Sequence, residues 1–160
     1  MNSLIIVLGD YYSFRFTETF INKKCALIFI IYSLFNKNIN EIFGRTMTNG
    51  AEAVFCMIAF YYYFNLKYAD FNISKNQYFL FFEKNMALMT FSITMAFLVR
   101  SSSIIGWVPL ALIYILSSSS FVCMLLNLFA IAKAGVFVAL PMIVISIAID
   151  SFYYGKFAFP

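Results

Sequence analysis

Histidine is absent from the 160 residues, and cysteine occurs only three times. Cys25, Cys56 and Cys123 lie in separate apolar runs without Cys-x-x-Cys spacing. That composition excludes a zinc or haem site and leaves the three as buried free thiols. No metal and no cofactor is expected. Charge is scarce too: Asp, Glu, Lys and Arg make up 11% of the chain, against about a quarter in a soluble domain. The net charge of +4 arises without any cluster of five or more Lys and Arg, so a nucleic-acid partner is excluded. Tryptophan occurs once, beside 21 phenylalanines and 11 tyrosines. What remains is 63% apolar. This predicts an integral membrane protein: all-α, a polytopic transmembrane helical bundle, with residues 1–160 as a single transmembrane domain and membrane lipid as its surroundings.

The apolar runs are short. Ser3 to Leu8 is too brief for a signal peptide and lacks a basic flank. Met1 to Gly9 reads as the end of a membrane helix, followed by an interfacial piece carrying Asp10, Arg15 and Glu18. Lys23 and Lys24 form a short basic loop. Cys25 to Phe35 covers 11 residues, about half of a ~30 Å hydrocarbon core. After the polar Asn36–Glu41 comes an uncharged run from Ala53 to Phe64. Asn65 to Lys84 is the longest polar segment, and its Asn72-Ile-Ser sequon is expected to be unused. Asn85 to Val99 is apolar and ends at Arg100. Three serines, Gly106 and Pro109 then mark a helix break or a re-entrant start. Ser117 to Ser120 reads as a turn. Phe121 to Ala132 is closed by Lys133, and Ala134 to Ile149 ends at Asp150. Five to six short helices are expected, with no internal repeat. Short spans interrupted by Arg, Asp, Ser and Pro suit an enzyme, or a transporter or lipid-binding subunit, whose polar groups face an internal cavity.

One polar island stands out. In Arg45 to Glu52 the residues Arg45, Thr48, Asn49 and Glu52 fall at i, i+3, i+4 and i+7, one stripe of a helix. Charges at the mouth of an apolar helix are costly unless paired, hydrated or used. Alternating the loops across a membrane places Lys23, Lys24, Lys67, Lys75 and Lys84 on one side, joined by Lys133 if Phe121–Ala132 lies along that surface. Lys37, Arg45, Arg100 and Lys156 fall on the other. Positive-inside bias assigns the first set to the cytosol. Arg45, Glu52, Arg100 and Asp150 then share the opposite face. Bland readings stand beside the functional one: Arg45 and Glu52 as a mutual pair, Arg100 snorkelling from a helix end, Asp150 as a helix stop, and Trp107 as an interfacial anchor.

The same residues carry a resemblance. Arg45-Thr-Met-Thr-Asn-Gly-Ala-Glu52 resembles the R-T-[LM]-[TSP]-N-x-x-E block of the dolichol-phosphate-mannose-dependent mannosyltransferases of the endoplasmic reticulum. Ala96 to Leu112 is similar to that family's R-P-T-x-x-[IL]-x-W-x-P-L helix. Arg100, Trp107, Pro109 and Leu110 coincide, whereas Ser101 replaces the proline and Ser102 the threonine. Ile149 onward resembles [IV]-D-[RS]-x-[FY]-[FY]-G-[QKR] through Asp150, Tyr154, Gly155 and Lys156. Asp10 falls where the family has an aspartate closing an earlier helix. Relatives that extend the lipid-linked N-glycan precursor share the last block and, in one case, an R-T-L-P-N block. Glu52 and the Arg100 to Pro109 pattern favour the branch that adds the third mannose to the glycosylphosphatidylinositol (GPI) precursor.

The resemblance implies a multi-pass GT-C type membrane glycosyltransferase of the endoplasmic reticulum with a luminal site. It implies transfer of mannose, with inversion, from a dolichol-phosphate-mannose donor to a lipid-linked glycan acceptor. The family's presumed base sits in a first luminal loop, in an H-P-D-E-like motif that would precede Met1, so the chain is expected to be an internal portion without that acid. Among its own residues, Arg45 and Arg100 are candidates for the donor phosphate, because guanidinium pairs with phosphate oxygens. Asn49 and Glu52 are candidates for the same substrate site, with Glu52 orienting Arg45 or touching sugar hydroxyls. Trp107 is a candidate for stacking on a sugar, and Asp150 for approaching the acceptor. No catalytic residue is assigned.

Overall fold

The computed structural model describes residues 2–35, 47–69, 75–116 and 121–155, and these are helical almost throughout. In chain order they form α1 (Asn2–Phe20), α2 (Lys23–Phe35), α3 (Met47–Ala69) and α4 (Lys75–Val99). A 3-10 turn (Ser101–Ser103) leads to α5 (Ile104–Leu116), α6 (Phe121–Ala134), a π-helical segment (Gly135–Ala139) and α7 (Leu140–Tyr154).

α1 does not break at Asp10 as the charge pattern suggested. It runs unbroken because its charges are satisfied sideways. The Ser33 hydroxyl of α2 donates to the Asp10 carboxylate at 2.7 Å, and Arg15 pairs with Glu18 one turn on, at 3.2 Å. The helix ends where Ile21 and Asn22 both donate backbone N–H groups to the Thr17 carbonyl at 3.0 Å. Asn22 then caps α2, its side-chain oxygen accepting the Lys24 N–H at 3.2 Å. This satisfies one of the unpaired N–H groups of a new helix and turns the chain back. Lys23 and Lys24 thus open α2 rather than form a loop.

α3 and α4 are the central antiparallel pair, with α1 packed on α3 and α2 on α1. Leu66 and Met86 are almost fully buried at their contact, with Ala134, Met89, Tyr114, Ala130 and Ile131 around them. Small residues let the backbones approach: Ala59 and Ala96 are fully buried. Ser92 and Thr94 are buried as well. Each returns its hydroxyl to its own helix, to the Leu88 and Thr90 carbonyls at 2.9 and 2.8 Å, so neither hydroxyl is stranded. Gly9 is obligatory for the α1–α3 approach, since a Cβ there would lie 2.6 Å from Cγ2 of Val54.

The second half differs from expectation in two places. Arg100 itself is the break, with an extended backbone (φ −152°, ψ 111°) before the 3-10 turn, while Pro109 lies inside α5. Lys133 does not close a helix. α6, the π segment and α7 follow without interruption, the junction residues Ala134 and Leu140 both being right-handed helical. A lysine on an exposed face leaves the backbone free to continue. α7 passes Asp150 and stops at Gly155, whose left-handed φ of 63° forms the cap.

Among the described residues, Met124–Tyr154 is the one helix both long and apolar enough to cross a membrane, and Lys84–Val99 and Ser101–Leu116 are shorter apolar helices. The expected turn at Ser117–Ser120 and the loop Asn36–Glu41 lie outside the described residues.

Candidate functional site

The antiparallel course of α3 and α4 brings the start of α3 beside the end of α4. Nη1 of Arg100 donates to Oδ1 of Asn49 at 3.3 Å and to Oε2 of Glu52 at 3.4 Å. The partners stand 51 and 48 positions before Arg100, so the contact joins two sequence blocks across the helix pair. The Glu52 side chain is 18% exposed and that of Arg100 is 54% exposed. Such a pair contributes about 0.2–1 kcal/mol to stability. Its effect is to aim the guanidinium. Both bonds use Nη1, and among the described residues Nε and Nη2 have no other side-chain partner. The extended backbone at Arg100 lifts the side chain off the helix end and gives it that exposure.

Below the pair a continuous stripe of α3 meets α5. Asn49, Glu52, Cys56, Phe60 and Tyr63 recur at three- and four-residue steps on one face of α3. Trp107 is 7% exposed, its ring against Phe60 with centroids 4.8 Å apart and its indole N–H directed to the Cys56 sulfur. Tyr114 meets Tyr63 at 6.0 Å. Arg100, Trp107 and Tyr114 are spaced by sevens, and each engages the next rung of the α3 stripe. Trp107 thereby fixes α5 to α3 directly under the Arg100 cluster, with its ring face occupied by Phe60.

Asn49, Glu52 and Arg100 are therefore assembled, and Trp107 supports them. Asp150 is half-buried near the end of α7, an element packed on α4, and it has no hydrogen-bond or ion-pair partner among the described residues. Arg45 lies outside the described residues. The pairing of Glu52 with Arg100 was not foreseen, because Arg45 sits seven residues away on the same stripe. Cys56 and Phe60 were missed as well. The seven-residue spacing of Arg100, Trp107 and Tyr114 was the available signal. Among the described residues no group of His, Cys, Asp and Glu could hold a metal ion.

The description of the Alg9-like mannosyltransferase family fits residues 1–160, the whole chain. The chain belongs to the Alg9-like mannosyltransferase family. GPI mannosyltransferase 3 of Candida albicans is 25% identical to it over 163 residues, an alignment spanning all of this chain and 29% of that relative. The chain thus spans under a third of the length of the curated relative it matches. No solved structure matches it. Within this Alg9-like chain, the first two sequence blocks that carried the resemblance are those that meet at Arg100 and Glu52.

Proposed function

We propose that the chain is part of a multi-pass mannosyltransferase of the endoplasmic reticulum membrane that transfers mannose from dolichol-phosphate-mannose to a GPI-anchor precursor. The observation that carries this reading is the Asn49–Glu52–Arg100 cluster. A half-exposed guanidinium, held among the described residues through one nitrogen, suits a phosphate leaving group. Charge develops on that phosphate as the sugar–oxygen bond breaks, and a pre-aimed cation at that point lowers the barrier. Glu52 and Asn49 hold the cation, and Trp107 sets the level of α5 beneath it. Arg45 is proposed as a second phosphate ligand and Asp150 as a group near the acceptor. No residue of the chain is assigned as the base that takes the acceptor's proton. The match to a protein named GPI mannosyltransferase 3 supports the GPI acceptor over the N-glycan precursor, as does Glu52.

Arg100→Ala in the protein that carries this chain tests the reading, with microsomes supplied with radiolabelled dolichol-phosphate-mannose. Transfer should fall about 100-fold, with a two-mannose GPI intermediate accumulating, and Arg100→Lys should restore part of it. Transfer within twofold of the parent would overturn the phosphate role.

A further inference from the structure

A second polar site lies at the other end of the same helices. Arg100 and Glu52 mark one end of the α3–α4 pair. About 20 Å away, by helix rise from Glu52 to Asn65 and from Lys84 to Arg100, a cleft of about 290 Å³ opens between α1, α3 and α4. Its lining includes Tyr12 and Arg15 from α1, Tyr61 and Tyr62 from α3, and Lys84 and Asn85 from α4.

The groups in the cleft are mostly hydrogen-bond donors. Asn85 is 5% exposed, and its side-chain Nδ2 has no hydrogen-bond partner. An unpaired amide at that depth is costly, and a ligand acceptor would remove that cost. Lys84 is exposed at the rim and makes no ion pair among the described residues. Arg15 is shared between Glu18, at 3.2 Å, and the Tyr61 hydroxyl. The Tyr12 and Tyr62 hydroxyls lie 3.2 Å apart. Glu18 offsets Arg15, so the cleft keeps the charge of Lys84 together with the orphan amide. Its depth is set by the sequence, because Lys84 is the last charged residue before the uncharged run of residues 85–99. A group in the cleft therefore sits where hydrocarbon gives way to headgroups.

We propose that this cleft binds the phosphate of an anionic phospholipid headgroup, with Asn85 Nδ2, Lys84 and Arg15 as donors and the tyrosine hydroxyls around them. Phosphate offers several acceptor oxygens and a negative charge to a site rich in donors. The proposal does not depend on the enzymatic reading, because it uses none of the residues at Arg100. The antiparallel helices gather Lys23, Lys24, Lys67, Lys75 and Lys84 at this end, which on the positive-inside rule faces the cytosolic leaflet, where anionic lipids concentrate.

The test uses the full chain in nanodiscs of phosphatidylcholine, with and without phosphatidylserine or phosphatidylinositol. Lipid retained after detergent extraction is counted by native mass spectrometry. One anionic lipid should be retained per chain. Lys84→Gln should weaken retention about tenfold, and Asn85→Asp, which places an acceptor against the phosphate, should weaken it more. Lys67→Gln, which removes the same charge at the same end but outside the cleft, should leave retention unchanged. Equal weakening by Lys67→Gln and Lys84→Gln would overturn the proposal in favour of a diffuse positive surface. Retention of phosphatidylcholine as strong as that of the anionic lipids would also overturn it. So would inorganic phosphate displacing the lipid at equal concentration, which would make the site one for a soluble anion. If Asn85→Asp fails to fold, Lys84→Gln and Lys67→Gln still decide.

Discussion

The two halves of the molecule are both helical and rich in apolar residues, yet they differ in how they use them. In α1 to α4 the helices are tied to one another: Asp10 to Ser33, Tyr12 to Tyr62, Arg100 to Asn49 and Glu52. Most of the buried residues lie there. The rod formed by α6, the π segment and α7 is the reverse. Only 6% of its most apolar stretch is buried, and Phe129, Phe137, Ile145 and Ile149 all stand exposed. Apolarity alone therefore does not hold this fold together. Where lipid tails are as apolar as leucine, close packing of small residues and interhelical hydrogen bonds decide which helices associate. The rod meets its neighbours through Ala130, Ile131 and Ala134, packed with Leu66 and Met86, and leaves most of its length open.

That contrast yields expectations of decreasing size. Glu52→Lys sets a cation against Arg100 and undoes the aim of the guanidinium. Mannose transfer should fall about 100-fold, read with radiolabelled donor in microsomes. Gly9→Ala forces a Cβ into Val54 and should destabilise the protein by about 1–3 kcal/mol. Thermal unfolding in detergent measures this, and Val54→Ala in the same chain should recover most of the loss. Ser33→Ala removes the donor to Asp10 and should cost about 1–2 kcal/mol by the same measurement. Phe137→Ala on the rod should change stability by no more than about 0.5 kcal/mol in detergent. A large loss there would mean that the rod packs on protein and that the contrast is false.

The helical class and most helix positions were legible because apolar runs and their polar punctuation report local structure directly. The break at Arg100 was visible in the three serines that follow. What escaped were contacts between elements distant in the chain. Nothing local to Glu52 says that its partner stands 48 residues on, and Arg45 offered a nearer one. Asp10 and Lys133 misled in the same way. Each looked like a helix end, yet a charged side chain accommodated beside the helix, as Asp10 is by the Ser33 hydroxyl, gives the backbone no reason to stop. The unpaired amide of Asn85 is equally invisible in sequence, since its burial depends on how α4 packs against α3.

The five residues of π turn in the middle of the rod carry a consequence for Asp150. A π turn accommodates one residue more than a regular α-helical turn would, and each residue advances the azimuth of everything beyond it by about 100°. The compass bearing of Asp150 around its axis is thus set at Gly135–Ala139, some three turns upstream. Deleting Val136 would swing the carboxylate to a different side while altering no residue near it, so the bearing of this acid is written in a stretch that holds no polar side chain.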